Sequence, residues 1–115
     1  SLTLAEDILQ SNPNVKAILG INDPMALGAV QALAAHPEMS DVLVYGVDGS
    51  PDGKQAIKDG TMTGTGAQSP DEIGHKAAKA ALDVIDGKEI EKNIVVDTFL
   101  ITKDNVDEYG TDGWQ

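Results

Sequence analysis

Residues 17–27 read Ala17-Ile18-Leu19-Gly20-Ile21-Asn22-Asp23-Pro24-Met25-Ala26-Leu27. Lys16 to Ile21 is an apolar run of strand length, and Met25, Ala26, Ala29, Val30 and Leu33 then recur at helical spacing up to His36-Pro37. A strand, a polar corner and a helix start therefore fall within a few residues of one another. The same junction recurs twice. The apolar strand Asp41 to Val47 runs into Asp48-Gly49-Ser50-Pro51 and a short helix from Ser50 to Asp59, stopped by Gly60. A third strand, Thr61 to Ala67, runs into Gln68-Ser69-Pro70 and a helix whose apolar face is Ile73, Ala77, Ala80, Ala81, Val84 and Ile85, ended by Gly87. Each corner carries a polar residue at the strand end, then a capping residue (Asp23, Ser50, Ser69), then a proline suited to the first helical position. Glu72, three residues after Ser69, is expected to close a capping box there.

Working outward, Leu4, Ala5, Ile8 and Leu9 form a helical pattern that stops at Ser11-Asn12-Pro13-Asn14. That helix is already under way near residue 2, which hints at a truncated start; the alternative is an N-cap at Ser1 or Thr3. At the other end Ile94 to Ile101 reads as a last strand with Asp97 in its middle, and no regular structure is assigned from Thr102 onward. The order α, β, α, β, α, β, α, β with short connections predicts an α/β, doubly wound fold with a largely parallel sheet. The first two strands are apolar on both faces, which predicts helices on both sides of that sheet.

At 115 residues, 41% hydrophobic and 23% charged, the chain has the composition of one ordinary folded domain. A net charge of −11, from 19 acidic and 8 basic residues, argues against nucleic acid or an anionic membrane as partner, because both are recognised by excess Lys and Arg. No apolar run is long enough to span a bilayer, and residues 1–10 lack the regions of a signal peptide. The absence of cysteine excludes disulfides, thiol nucleophiles and cysteine zinc sites. Tyr45, Phe99, Tyr109 and Trp114 are the only aromatics, so a ring-shaped ligand would have to find much of its stacking surface elsewhere.

The caps and prolines are explained by helix initiation; the polar residues before them are not. In open α/β sheets ligands bind outside the carboxyl ends of the strands, which is where Asn22, Asp48 and Gln68 stand. One carboxylate and two amides suit a neutral polyhydroxylated ligand, whose hydroxyls both donate and accept. Turn chemistry explains each residue taken singly, and three in register bring the two readings level. Enzymatic sites are poorly represented. Gly64-Thr65-Gly66 lacks the third glycine of a dinucleotide loop, since Ser69 stands in its place. His36 and His75 are far apart in sequence, and Asp104, Asp107 and Asp112 do not have calcium-loop spacing. No catalytic residue, metal site or cofactor is expected.

Three segments together resemble the periplasmic sugar-binding proteins of the ribose- and galactose-binding type, the solute receptors of ABC importers: Ala17 to Ala29, Val44 to Gly53 and Gly66 to Gly74. The resemblance implies the C-terminal portion of a two-lobed receptor with a type I periplasmic-binding-protein-like fold. Residues 1–68 would belong to the C-terminal lobe. Residues 69–97 would be a helix and strand packing on a missing N-terminal lobe, and residues 98–115 a return crossing and polar tail. It implies Asn22, Asp48 and Gln68 as ligand contacts, and Ala67, Gln68, Ser69, Asp97 and Thr98 as hinge residues. Val47 replaces the aromatic often found before the aspartate, which weakens stacking at that position. The implied partners are a monosaccharide, the remainder of the receptor and an ABC permease, with self-association or element exchange as a further expectation. The implied location is periplasmic or extracellular, at the membrane through the transporter or a lipid anchor. The competing family is the effector-binding core of lactose-repressor-type regulators, which share the fold and an Asn-Asp corner; the run Asp48 to Ile57 followed by Asp59-Gly60 favours the receptors.

Overall fold

The computed structural model describes residues 2–114. The expected alternation is present as α1 (Leu2–Ser11), β1 (Ala17–Leu19), α2 (Asp23–Leu33), β2 (Leu43–Asp48), α3 (Pro51–Lys58), β3 (Gly64–Ala67), α4 (Pro70–Ile85) and β4 (Phe99–Thr102). A short 3-10 turn at Pro37–Met39 and a last helical turn, α5 (Val106–Tyr109), complete it. The sheet runs β1-β2-β3-β4, with the first three strands parallel and β4 antiparallel to β3. Ser1, one of the candidate caps of α1, lies outside the described residues.

Register explains which side chains are covered. Val44 and Gly46 of β2, Thr65 and Ala67 of β3 and Ile101 of β4 alternate onto one face and are buried, with α2 and α3 packed over them. Alanines at 26, 29 and 32 let α2 approach closely, and Leu9, Ile57, Met62 and Val106 close the core around it. The opposite face carries Leu19, Leu43, Val47 and Leu100, all exposed, Leu19 to 76%. The expectation of helices on both sides is thus met on one side among the described residues, although the strands carry apolar residues for two.

The last strand differs from its sequence reading. Phe99 pairs with Ala67, the final residue of β3, so residues 94–98 run antiparallel past the end of the sheet and have no strand beside them. The apolar run therefore pairs only in its second half. The tail also gains structure, because α5 is fixed by buried Val106 and by Tyr109, whose ring stacks on Phe99 at 5.0 Å.

α4 stands apart from this core. At sixteen residues it is about 24 Å long, none of its residues is buried, and Ile85 is 79% exposed. The radius of gyration, 17.7 Å, exceeds the roughly 13 Å of a compact chain of this length. Its N-terminus is also less tightly capped than the sequence suggests. Ser69 is the N-cap residue but its side chain makes no capping hydrogen bond, and Glu72 instead pairs with Lys76 at 2.8 Å, so the capping box is not formed.

Candidate functional site

The three polar corners are built on one buried carboxylate. Asp23 is wholly buried, and its Oδ2 accepts hydrogen bonds from the Ser50 backbone N–H and hydroxyl, both at 2.7 Å, while Oδ1 accepts from the Thr65 hydroxyl at 2.6 Å. Ser50 Oγ in turn accepts from Gly53 N–H at 3.0 Å, and Thr65 Oγ1 from Gly49 N–H at 3.1 Å. Burying a charge is costly unless its lone pairs are occupied, and here each oxygen is met by charge-assisted donors. The carboxylate also lies in the first turn of α2 and on the N-cap of α3, where helix dipoles favour negative charge. Two glycines make room for it. A Cβ on Gly46 would come within 2.3 Å of Oδ1, and one on Gly53 within 2.4 Å of Oδ2.

This corrects the division of labour at the first corner. Asp23 is not the cap of α2; that role belongs to Asn22, whose Oδ1 accepts from Met25 N–H at 3.0 Å. Both residue types are good caps, so adjacent candidates could not be separated by propensity. Asn22 keeps its Nδ2, which has no hydrogen-bond partner among the described residues.

The second and third corners meet directly. Gln68 Nε2 donates to Asp48 Oδ1 at 3.0 Å, and the Gln68 backbone N–H donates to the Asp48 carbonyl at the same distance. Asp48 holds φ at +133°, and it is the only non-glycine at positive φ among the described residues. A side chain in that region costs on the order of 1–3 kcal/mol and persists where its surroundings impose it, commonly at ligand sites. Here Gly49, itself at φ +74°, is tied through its N–H to Thr65 and so to Asp23. The Gln68 bond orients the Asp48 carboxylate and leaves Oδ2 without a partner among the described residues.

Asp48 and Gln68 line a cavity of about 380 Å³ with Pro70, Asp71, Ile73 and Trp114. Asn22 is not part of that wall, so the structure brings together two of the three proposed contacts and keeps the third at the neighbouring strand end. Of the proposed hinge residues, Ala67 is buried in β3, Asp97 is exposed, and Gln68, Ser69 and Thr98 line a second hollow of about 430 Å³ between α4 and residues 94–98. Lys76 Nζ bridges its two sides by donating to the Val95 carbonyl at 2.8 Å.

Sequence reasoning missed Lys54. It is fully buried, and its Nζ donates to the Gly113 carbonyl at 2.7 Å, across 59 residues of chain. Burial pushes this ammonium below the ordinary lysine range, with Asp112 opposing the shift. Only a hydrogen-bonded carbonyl and a nearby carboxylate make such a cation tolerable, and together they tie the polar tail to α3.

Residues 1–89 match the periplasmic binding protein domain family. The chain belongs to that family. Among curated relatives in the periplasmic binding protein domain family, the ribose import binding protein of Escherichia coli (strain K12) is 41% identical over 102 residues, which is 89% of this chain and 34% of the relative. The D-allose-binding periplasmic protein of the same organism is 38% identical over 109 residues, covering 90% and 35%. An ABC transporter periplasmic solute binding protein from Actinobacillus succinogenes 130z, solved with bound D-allose, superposes with a TM-score of 0.87 at 35% identity over 94% of this chain and 38% of its own. A solute binding protein from Bacillus halodurans C-125 with bound myo-inositol gives 0.85 at 34% identity, covering 94% and 37%. The chain thus spans about a third of the length of the periplasmic binding proteins it matches.

Proposed function

We propose that this chain is the C-terminal part of an extracytoplasmic receptor of an ABC importer, and that it captures a monosaccharide without chemistry. The observation that carries this is Asp48: a strained, half-buried aspartate at the carboxyl end of a parallel strand, aimed by Gly49, Thr65 and Asp23 and braced by Gln68. Its Oδ2, without a partner among the described residues, supplies an acceptor for sugar hydroxyls, and Gln68 and the Asn22 Nδ2 supply donors. Relatives whose names specify ribose or D-allose, and a neighbour solved with myo-inositol, support a polyhydroxylated ligand of that size.

Residues 1–68 form part of the C-terminal lobe in this reading. Residues 69–97 pack on the other lobe, whose core fills the hollow beside α4, and residues 98–115 return. Crossings at Ala67, Gln68 and Ser69 and at Asp97 and Thr98 act as the hinge, so that Gln68 touches ligand and moves with closure. The closed form is what a membrane permease recognises, in the periplasm or outside the cell. The open sheet face and the bare α4 are covered by the rest of the receptor; residues 1–115 expressed alone associate or exchange elements rather than melting sharply as a monomer.

A thermal-shift panel on the full-length protein tests the reading. One pentose, hexose or inositol is expected to raise the melting temperature by an amount that grows with the logarithm of its concentration relative to its Kd. No shift with any of them would overturn it.

A further inference from the structure

We infer that Trp114, in the tail beyond α5, is a wall of the sugar site and supplies the aromatic face that the strand corners lack. The inference rests on the receptor reading and adds a specificity-determining residue to the same site. Three observations carry it. Trp114 lines the cavity of about 380 Å³ that Asp48 and Gln68 also line. It is 55% exposed, although an indole of its size would ordinarily be covered. The residue before it is clamped: buried Lys54 holds the Gly113 carbonyl at 2.7 Å, which delivers the tryptophan to this place rather than leaving the tail to wander.

The chemistry is complementary across the cavity. On one side Asp48 and Gln68 offer directional hydrogen bonds; on another the indole and Ile73 offer apolar surface. A sugar ring needs both, since its hydroxyls lie around the rim and its C–H bonds form an apolar face that packs on an aromatic ring. Val47, at the position before Asp48, has no ring to give, so the stacking surface of this lobe comes from the far end of the chain. The ligand class that fits is a monosaccharide or cyclitol whose ring holds its C–H bonds together as one face, rather than an open-chain polyol, which has no ring to do so.

The test is calorimetry on the full-length protein with D-ribose, D-allose and myo-inositol as probes, comparing Trp114→Ala, Trp114→Phe and Asp48→Ala with the natural sequence. The alanine variant is expected to bind its sugar about tenfold more weakly. The phenylalanine variant, which keeps a ring, is expected to stay within about threefold. Because Trp114 is half exposed, an unchanged denaturation midpoint confirms that lost affinity is not lost folding. Full affinity in Trp114→Ala, with affinity lost in Asp48→Ala, overturns the role of Trp114 and leaves the site standing. Full affinity in both variants overturns the site, and the tryptophan's role with it.

Discussion

Asp23 stands after β1 and Asp48 ends the neighbouring parallel strand β2, in sequence contexts that both read as polar strand end and helix start, and they meet opposite fates. Asp23 is sealed, with every hydrogen bond directed inward at backbone and hydroxyl donors of this chain. Asp48 is half-buried, bent into a backbone conformation that aspartate rarely adopts, and has an oxygen left over. Polarity at a strand end is therefore not what marks a binding residue. In the proposed site the difference is that Asp48 is held with bonding capacity unfilled among the described residues, while the filled carboxylate of Asp23 braces the corner that holds it.

The sharpest way to break this contrast is Asp23→Ala. It strands the Ser50 and Thr65 donors in the core, so the full-length protein should lose about 3–5 kcal/mol of stability, read as a lower urea midpoint with an unchanged slope. A loss under about 1 kcal/mol would mean the network is not the keystone of the corners. Gly46→Ala attacks the same carboxylate from the sheet side, where the new methyl meets Oδ1 and the Met62 methyl; about 2 kcal/mol is expected by the same melts. Asp48→Gly sharpens the other half of the comparison. Relief of the positive φ should stabilise the fold by about 1 kcal/mol while sugar affinity falls, a split that a merely structural aspartate would not produce.

The smallest effect belongs to the exposed pair Lys58–Asp107, 2.7 Å apart, which ties α3 to α5 near the tail. Its hydrogen bond to Lys58 lowers the Asp107 carboxyl below its ordinary 3.8, and the same bond raises Lys58 above 10.5. Both are charged at neutral pH. The carboxylate's contribution is present above the unfolded value and lost as pH falls through the lowered one; the lysine's is present below its unfolded value and lost as pH rises through the raised one. Asp107→Asn should melt slightly below the natural sequence at pH 7, converge with it in strong acid, and differ less as salt rises.

Much of the fold was legible because local and global signals agree. Three proline-bearing corners and apolar strands specify the βα units, and α4 carries an apolar stripe that stays unburied among the described residues. What escaped the sequence depends on contacts between distant residues. The cap of α2 moved from Asp23 to Asn22 because capping propensity cannot see Ser50 and Thr65 arriving at Asp23 from 27 and 42 residues away. The final strand began late because its first residues pass the end of β3, which only the register reveals. The burial of Lys54 had no signal in the sequence, because the Gly113 carbonyl it meets lies 59 residues away. At the candidate site, Asp48 and Gln68 were named from their strand-end positions. The positive φ of Asp48 had a single hint, the following Gly49, and the proximity of Trp114 had none.

Calorimetric titration of the full-length protein and of its Asp48→Ala variant with the sugar selected by the thermal-shift panel tests the central claim most directly. The charged hydrogen bond lost is expected to weaken binding by about ten- to 150-fold, while the lost Gln68 bond lowers stability by only about 1 kcal/mol. Binding at the natural affinity by Asp48→Ala would contradict the account.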